Sequence, residues 1–365
     1  MAQSKLQSVS QAPLFETISN ESEILHEAVF SKCPKVMREC MFHLYSIWLF
    51  TFTDIKTILF RSTAFALFNG SAVSHYMANV PSSQYNLPSP YQVLKSTPLV
   101  LFWVWMNLLP FTISNQRKPD AIEEDKLNKP WRTMPTQRLT PESAKHLMLA
   151  FYLIAIITSI HFGNLAQCIA LIILGHWYND LGGADVSCLS RNFINGCGFI
   201  CFSSGATQVA IGGRTFEGRG SESAPKLLGW WYFVIACIVF TTVETQDMYD
   251  QRGDGIRNRK TLPLVIGDAP ALWVIAAFMV LWCWATPWLW SSSPYEYVAP
   301  VLLGLAVALR TLLVRSEEGD KVTFRVWNLW LVSVYLLPLF KVLETCLSGE
   351  TKCFEPSRFN GSLGK

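Results

Sequence analysis

The sequence predicts an all-α membrane protein, a bundle of nine transmembrane helices, and three observations carry that reading. Hydrophobic residues make up 50% of the 365-residue chain and charged ones 16%, against roughly 25% charged in a soluble domain. Nine stretches approach the roughly 20 apolar residues that cross a bilayer. Fourteen Trp and 23 Phe match the aromatic belts and lipid-facing surfaces of such a bundle. A net charge of +3 is too small to imply a nucleic-acid partner. The pattern demands a lipid bilayer and implies no obligate protein partner.

The spans are expected at His43–Phe68, with Asp54 and Lys56 near its start, then Tyr91–Ser114, Ala144–Phe162, Leu165–Tyr178 and Phe193–Ile211. Leu227–Val243, Ala271–Trp290, Val298–Val314 and Val322–Leu337 complete the set. A polar segment, 1–42, precedes a transmembrane domain over 43–340, and a tail, 341–365, comes last. The polar start does not resemble a cleaved signal peptide. Most of the ten Cys sit in apolar runs without zinc-type spacing and read as small buried residues. Cys346 and Cys353 could pair if the tail faces an oxidising lumen.

Basic residues set the orientation. Arg117, Lys118, Lys126, Lys129, Arg132 and Arg138 come after the second span; Arg252, Arg257, Arg259 and Lys260 come after the sixth; Lys5, Lys32, Lys35 and Arg38 precede the first. With nine spans these segments share one side. The positive-inside rule makes that side cytosolic and the C-terminus lumenal. Arg214, Arg219 and Lys226, after the fifth span, run against the rule. Sequons at Asn69 and Asn360 would be lumenal, and that at Asn20 would not.

Two acidic segments lie on the cytosolic side. The first reads NQRKPDAIEEDKLNKPWRTMPTQRLTP, from Asn115 to Pro141. Pro119 cannot continue a helix interior, so the second helix should end near Lys118. Asp120 and Glu124 are four apart, and Asp125 is next to Glu124. The second reads ETQDMYDQRGDGIRNRKTLPLVIGD, from Glu244 to Asp268. Asp247, Asp250 and Asp254 are spaced three and four apart and share one helix face. Like charges on one face repel, and a divalent cation removes that cost. Mg²⁺ takes hard oxygen ligands, typically a few carboxylates plus substrate phosphate oxygens. Arg132, Arg138, Arg259 and Lys260 can neutralise those phosphates. Topology alone asks only for Lys and Arg and explains neither acidic cluster.

NKPWR at Asn128–Arg132, then Pro135 and Arg138, and GDGIRNRKTLPLVIGD at Gly253–Asp268 resemble the two signature regions of the UbiA superfamily of intramembrane prenyltransferases. The resemblance covers roughly Asp54 to Asp268. It implies a helical bundle with a central cavity, capped on the cytosolic side by a Mg²⁺–diphosphate site. Asp247, Asp250 and Asp254 carry over cleanly as the second motif. The first departs from the usual NDxxDxxxD, because the positions four and eight after Asn115 are Pro119 and Glu123. Metal ligands there are drawn from Asn115, Asp120, Glu124 and Asp125, and which of them bind stays open. Lys129, Arg132, Arg138, Arg259 and Lys260 are the implied diphosphate contacts.

The superfamily holds transferases and cyclases. The variant first motif, FTDIKTILF at Phe52–Phe60 and YNDLGGAD at Tyr178–Asp185 resemble the fungal membrane-bound sesquiterpene cyclases of the fumagillin-pathway type. That resemblance implies a Mg²⁺-dependent cyclase acting on farnesyl diphosphate in secondary metabolism, in the endoplasmic reticulum membrane. An aromatic prenyltransferase is the alternative. Tyr178 and Asn179 either line the cavity cap and the diphosphate site or, with Asp180, simply end the fourth helix before Gly182–Gly183. Asn192 and Asn195 are either functional or bond helix to helix. Glu244 either joins the second motif or pairs with a loop cation. The scattered histidines form no ligand pattern. A transporter is disfavoured, because no inverted repeat of broken helices is visible.

Overall fold

A computed structural model describes residues 34–78, 87–213, 223–290 and 292–347, and among them there are helices and no strand. The chain divides into two compact units, residues 1–48 and 49–365. Helix α1 (Lys35–Thr51) begins in the first. The second unit holds α2 (Phe60–Ala78), α3 (Pro90–Lys95), α4 (Thr97–Gln116), α5 (Pro119–Asn128), α6 (Pro141–Phe162) and α7 (Leu165–Asn179). It continues through α8 (Gly183–Val186), α9 (Cys188–Ala210), α10 (Ser223–Thr242), α11 (Asp247–Ile256) and α12 (Leu262–Ile266). It ends with α13 (Asp268–Leu289), α14 (Val298–Leu313), α15 (Glu317–Tyr335) and α16 (Leu337–Leu347).

Six segments are long and apolar enough to cross a membrane: Thr97–Gln116, Pro141–Phe162, Lys226–Thr245, Asp268–Leu289, Pro294–Leu313 and Glu317–Glu344. Large apolar side chains stand exposed along them, among them Ile157 and Ile160 on α6 and Trp273 and Trp284 on α13. Water would not tolerate so continuous an apolar exterior, and lipid does. The other three expected spans are helical but fall short by length or polarity. Helix α7 has 15 residues. Helix α9 is diluted by Ser, Gly and Asn, and α2 carries a buried Arg61 and Asn69.

Helix α9 packs against α2, α4, α7 and α10, which makes it the central post of this half of the bundle. Its approach to α4 depends on Gly205, where an added β-carbon would lie 2.1 Å from Cη2 of Trp103. Helices α13, α14 and α15 pack in sequence on the other side. Trp231, Trp327, Trp330 and Tyr335 fill the core there.

Two boundaries differ from the sequence expectation. The first expected span is not continuous: α1 stops at Thr51, and Ile55–Leu59 form a π-helical turn before α2. The Asp54 carbonyl accepts from both Ile58 and Leu59, at 2.8 and 3.3 Å. Hydropathy is blind to such a register change. The second expected span is also split. Ser89 and Gln92 form a capping box on α3, and Pro98 at the first turn favours a fresh start for α4.

Asn69 corrects the lumenal-sequon expectation. It lies buried within α2, its amide donating to the carbonyls of Phe65 and Tyr335 at 3.0 and 3.4 Å, so no glycan can attach. Asn20, Asn360 and Cys353, and the Cys346 side chain, lie outside what the structure describes.

Candidate active site

Both acidic segments fold as short helices at the same end of the bundle, and α5 packs directly on α11. Pro119 opens α5 rather than merely ending α4, its missing N–H costing nothing at a first turn. Contact between the two is close. A β-carbon at Gly253 would sit 2.1 Å from Nδ2 of Asn128, so the NKPWR segment rests on the glycine of the second motif.

The α11 spacing does what the periodicity predicts. Asp247, Asp250 and Asp254 are all buried on one face. On α5, Glu124 and Asp125 are buried and Asp120 is half-exposed. A shell of cations encloses them. Arg259 Nη1 lies 3.1 Å from Glu124 and 3.0 Å from Asp254, and its Nε donates to Asp185 at 3.1 Å. Arg257 lies 3.3 Å from Asp120 and Asp185 and 3.4 Å from Glu124. Lys129 stands 3.6 Å from Asp250. Arg132 donates to both oxygens of Asp125, at 2.9 and 3.0 Å, and to Thr53 Oγ1 at 2.6 Å. Arg191, near the start of α9, pairs with Asp247.

These charges set each other's titration. Burial pushes the Asp250 carboxyl above its ordinary range, against the pull of Lys129. Asp247 and Asp254 move the same way, burial outweighing Arg191 and Arg259. Burial alone would raise Glu124 too, but Arg259, Lys129, Arg257 and Arg132 together hold it below the ordinary range.

The remaining expected residues are placed unevenly. Asn115 is half-buried near the end of α4, its Oδ1 without a hydrogen-bond partner. Tyr178 and Asn179 are buried at the end of α7. Tyr178 is close enough to Arg191 and Arg259 to interact electrostatically, whereas Asn179 is held elsewhere: its amide donates to the Phe111 carbonyl at 3.5 Å, and its own carbonyl accepts from Lys118 Nζ at 2.6 Å. Asp180 pairs with Arg117 and Lys118 at 3.1 and 3.2 Å. Arg138 is half-buried in the turn beyond Arg132. Lys260 is exposed, and it is its backbone N–H that reaches the Asp185 carbonyl, at 3.2 Å. Glu244 is buried beside the acidic face, where its side chain accepts from Asn192 at 2.7 Å and interacts electrostatically with Asp247 and Arg191.

Arg191, Arg257 and Asp185 are absent from the residues the sequence pointed to. The apolar run of the fifth span starts at Phe193, which left Arg191 outside it. A cation so near a membrane helix was the available signal. Arg257 and Arg259 flank Asn258, whose φ of 56° turns the chain so that both guanidiniums reach the cluster. Asn tolerates that left-handed geometry.

Hard oxygens without partners remain in this cluster, Oδ1 of Asp247 and Oδ2 of Asp254, and Oδ1 of Asn115 is likewise unpartnered near the end of α4. That donor set fits Mg²⁺. Among the described residues no three His, Cys, Asp or Glu side chains converge into a complete metal site. Tyr178, which interacts with Arg191 and Arg259 of the cluster, also lines a cavity together with Ile194, Gly198, Phe199, Phe202, Asn107 and Phe111.

Over 301 residues the chain is 26% identical to the fumagillin β-trans-bergamotene synthase af520 of Aspergillus fumigatus, covering 82% of this chain and 94% of that one. It is 25% identical over 324 residues to the somaliensene A/B synthase of Streptomyces somaliensis, covering 85% and 96%. Its fold matches a solved digeranylgeranylglyceryl phosphate synthase with a TM-score of 0.50 at 16% identity, over 81% of this chain and 98% of that one. The profile of the UbiA prenyltransferase family matches residues 92–332, most of the chain and both acidic segments, and the chain belongs to that family.

Proposed function

We propose that this protein is a membrane-bound terpene cyclase that ionises a prenyl diphosphate, farnesyl diphosphate in our reading, and closes it to a cyclic sesquiterpene of secondary metabolism. The observation that carries the proposal is the convergence of both acidic helices and five cations above an apolar cavity. Similarity to a bergamotene synthase and a somaliensene synthase supports cyclisation over transfer to an aromatic acceptor.

Asp247, Asp250, Asp254, Glu124 and Asn115 would supply oxygens for Mg²⁺, with Asp125 and Asp120 as further carboxylates of the first motif. Bound Mg²⁺ supplies the charge that stabilises departing diphosphate. Arg257, Arg259, Lys129 and Arg132 now neutralise carboxylates. The same side chains, already held at the cap by those carboxylates, would lie within reach of phosphate oxygens, so the site is preorganised. Breaking the C1–O bond leaves its electron pair on the diphosphate and an allylic cation in the cavity. Phe111 and Phe202 are aromatic residues of the cavity lining that could stabilise that cation, whereas the Phe199 ring already carries Arg61 over it at 3.9 Å; the apolar lining keeps out the water that would quench the cation.

In this reading the bundle has nine spans, with α2, α7 and α9 completing the six apolar ones. The capped site and N-terminus are cytosolic, the tail beyond residue 340 is lumenal, and the membrane is that of the endoplasmic reticulum. Protein purified in detergent, given farnesyl diphosphate and Mg²⁺, should release pyrophosphate and a volatile hydrocarbon. Release only on adding an aromatic acceptor would make it a transferase. No release from any prenyl diphosphate would end the enzyme proposal.

A further inference from the structure

Gly198 has no packing reason to be glycine. A glycine in a helix interior costs stability relative to alanine, and its neighbours in α9 show what normally repays that cost. Gly196 lies where a β-carbon would come 3.2 Å from the Ala236 carbonyl, and Gly205 where it would strike Trp103. At Gly198 an added β-carbon meets nothing within 4 Å. Gly229 and Gly255 also face open space, but both lie on the exposed surface. Gly198 instead forms part of the cavity wall.

Its position within the cavity is informative. Ile194, Gly198 and Phe202 are spaced four apart and fall on one face of α9. They span about 12 Å at the helical rise. Ile194 packs with Tyr178 at the cap end, and Phe202 lies among the buried residues of the deeper core. Gly198 is therefore midway down, at the point where a bulky side chain would divide the space in two.

We propose that Gly198 is a specificity-determining residue: its missing side chain leaves room for the distal part of a long apolar chain whose diphosphate sits at the cap. This rests on the prenyl diphosphate reading above. A side chain at 198 truncates the cavity while leaving the charged cap, whose Arg191 lies about two helical turns away on α9, untouched.

The test compares wild type, Gly198→Ala and Gly198→Leu, purified in detergent with Mg²⁺. Binding of non-hydrolysable geranyl, farnesyl and geranylgeranyl thiodiphosphates is read by competition and by thermal unfolding. Gly198→Ala should unfold no lower than wild type. Gly198→Leu should lose about tenfold in affinity for the farnesyl and geranylgeranyl analogues, the scale of an overpacking penalty, and much less for geranyl. If the leucine variant does not fold, Gly198→Ala should still weaken geranylgeranyl more than geranyl. Equal affinity across all variants, or equal loss for all three chain lengths, overturns the role of Gly198 and leaves the prenyl reading standing. Failure of wild type to bind any analogue overturns both.

Discussion

Arg259 Nη1 stands 3.1 Å from Glu124 Oε1 and 3.0 Å from Asp254 Oδ1, so one guanidinium joins two motifs separated by more than a hundred residues of chain. Replacing Arg259 with Met should leave both carboxylates buried and under-compensated. Removing one partner of such a buried pair costs about 3–5 kcal/mol. Thermal unfolding in detergent should show the loss, and turnover should fall with it. A variant as stable and active as wild type would mean the link is incidental.

Arg191 and Asp247 form a second such pair. Arg191→Met should destabilise by a similar amount, about 3–5 kcal/mol. Adding Asp247→Leu should restore much of the stability but none of the activity, because an apolar pair packs where an ion pair stood. Unfolding and turnover measured on the single and double variants separate the two roles.

Asp250→Ala should abolish turnover with normal expression. Its cationic neighbour Lys129 lies 3.6 Å away and is itself part of the cap, so the lost charge is partly relieved by solvent and the fold survives. Near-normal turnover would remove Asp250 from the site.

Gly253→Ala should be harmful although alanine favours helices, because the added methyl meets Asn128 Nδ2 at 2.1 Å and Cγ at 2.7 Å. Overpacking of this kind costs about 1–3 kcal/mol. Adding Asn128→Ala should relieve it, giving a favourable coupling in a double-variant cycle of unfolding measurements. Additive losses would show that the two helices do not meet there.

Asn258→Gly should be tolerated and Asn258→Val should not. The left-handed φ of 56° costs a β-branched residue about 1–2 kcal/mol. Unfolding temperature and turnover should both fall for valine alone.

The acidic face of α11 was legible because three- and four-residue spacing has only one meaning on a helix. Asp247, Asp250 and Asp254 landed together as expected. The first motif was harder. Pro119 reads as a stop, yet here it starts α5 and turns Glu124 inward, a distinction that depends on the residues C-terminal to the proline. Arg191, Asp185 and Arg257 were not legible as site residues. Their roles arise from contacts between elements 56 to 133 positions apart in sequence, and no local period encodes such contacts. The π-helical turn at Ile55–Leu59 was hidden for a related reason. Just before it, Thr53 accepts from Arg132, a contact with a distant turn that the run of apolar residues around it does not encode. Elsewhere the expected apolar runs overlap the observed helices, although the helices at the fifth and ninth of them begin earlier, at Cys188 and Glu317, because polar first turns carry no hydropathy signal.

The proposed chemistry depends above all on both acidic helices binding one Mg²⁺–diphosphate. Thermal unfolding of the purified protein with inorganic pyrophosphate, with and without Mg²⁺, tests this most directly. A shared site requires strong stabilisation only when both are present, lost alike in Glu124→Gln and Asp250→Asn. Stabilisation that needs no Mg²⁺, or that survives either substitution, would contradict it.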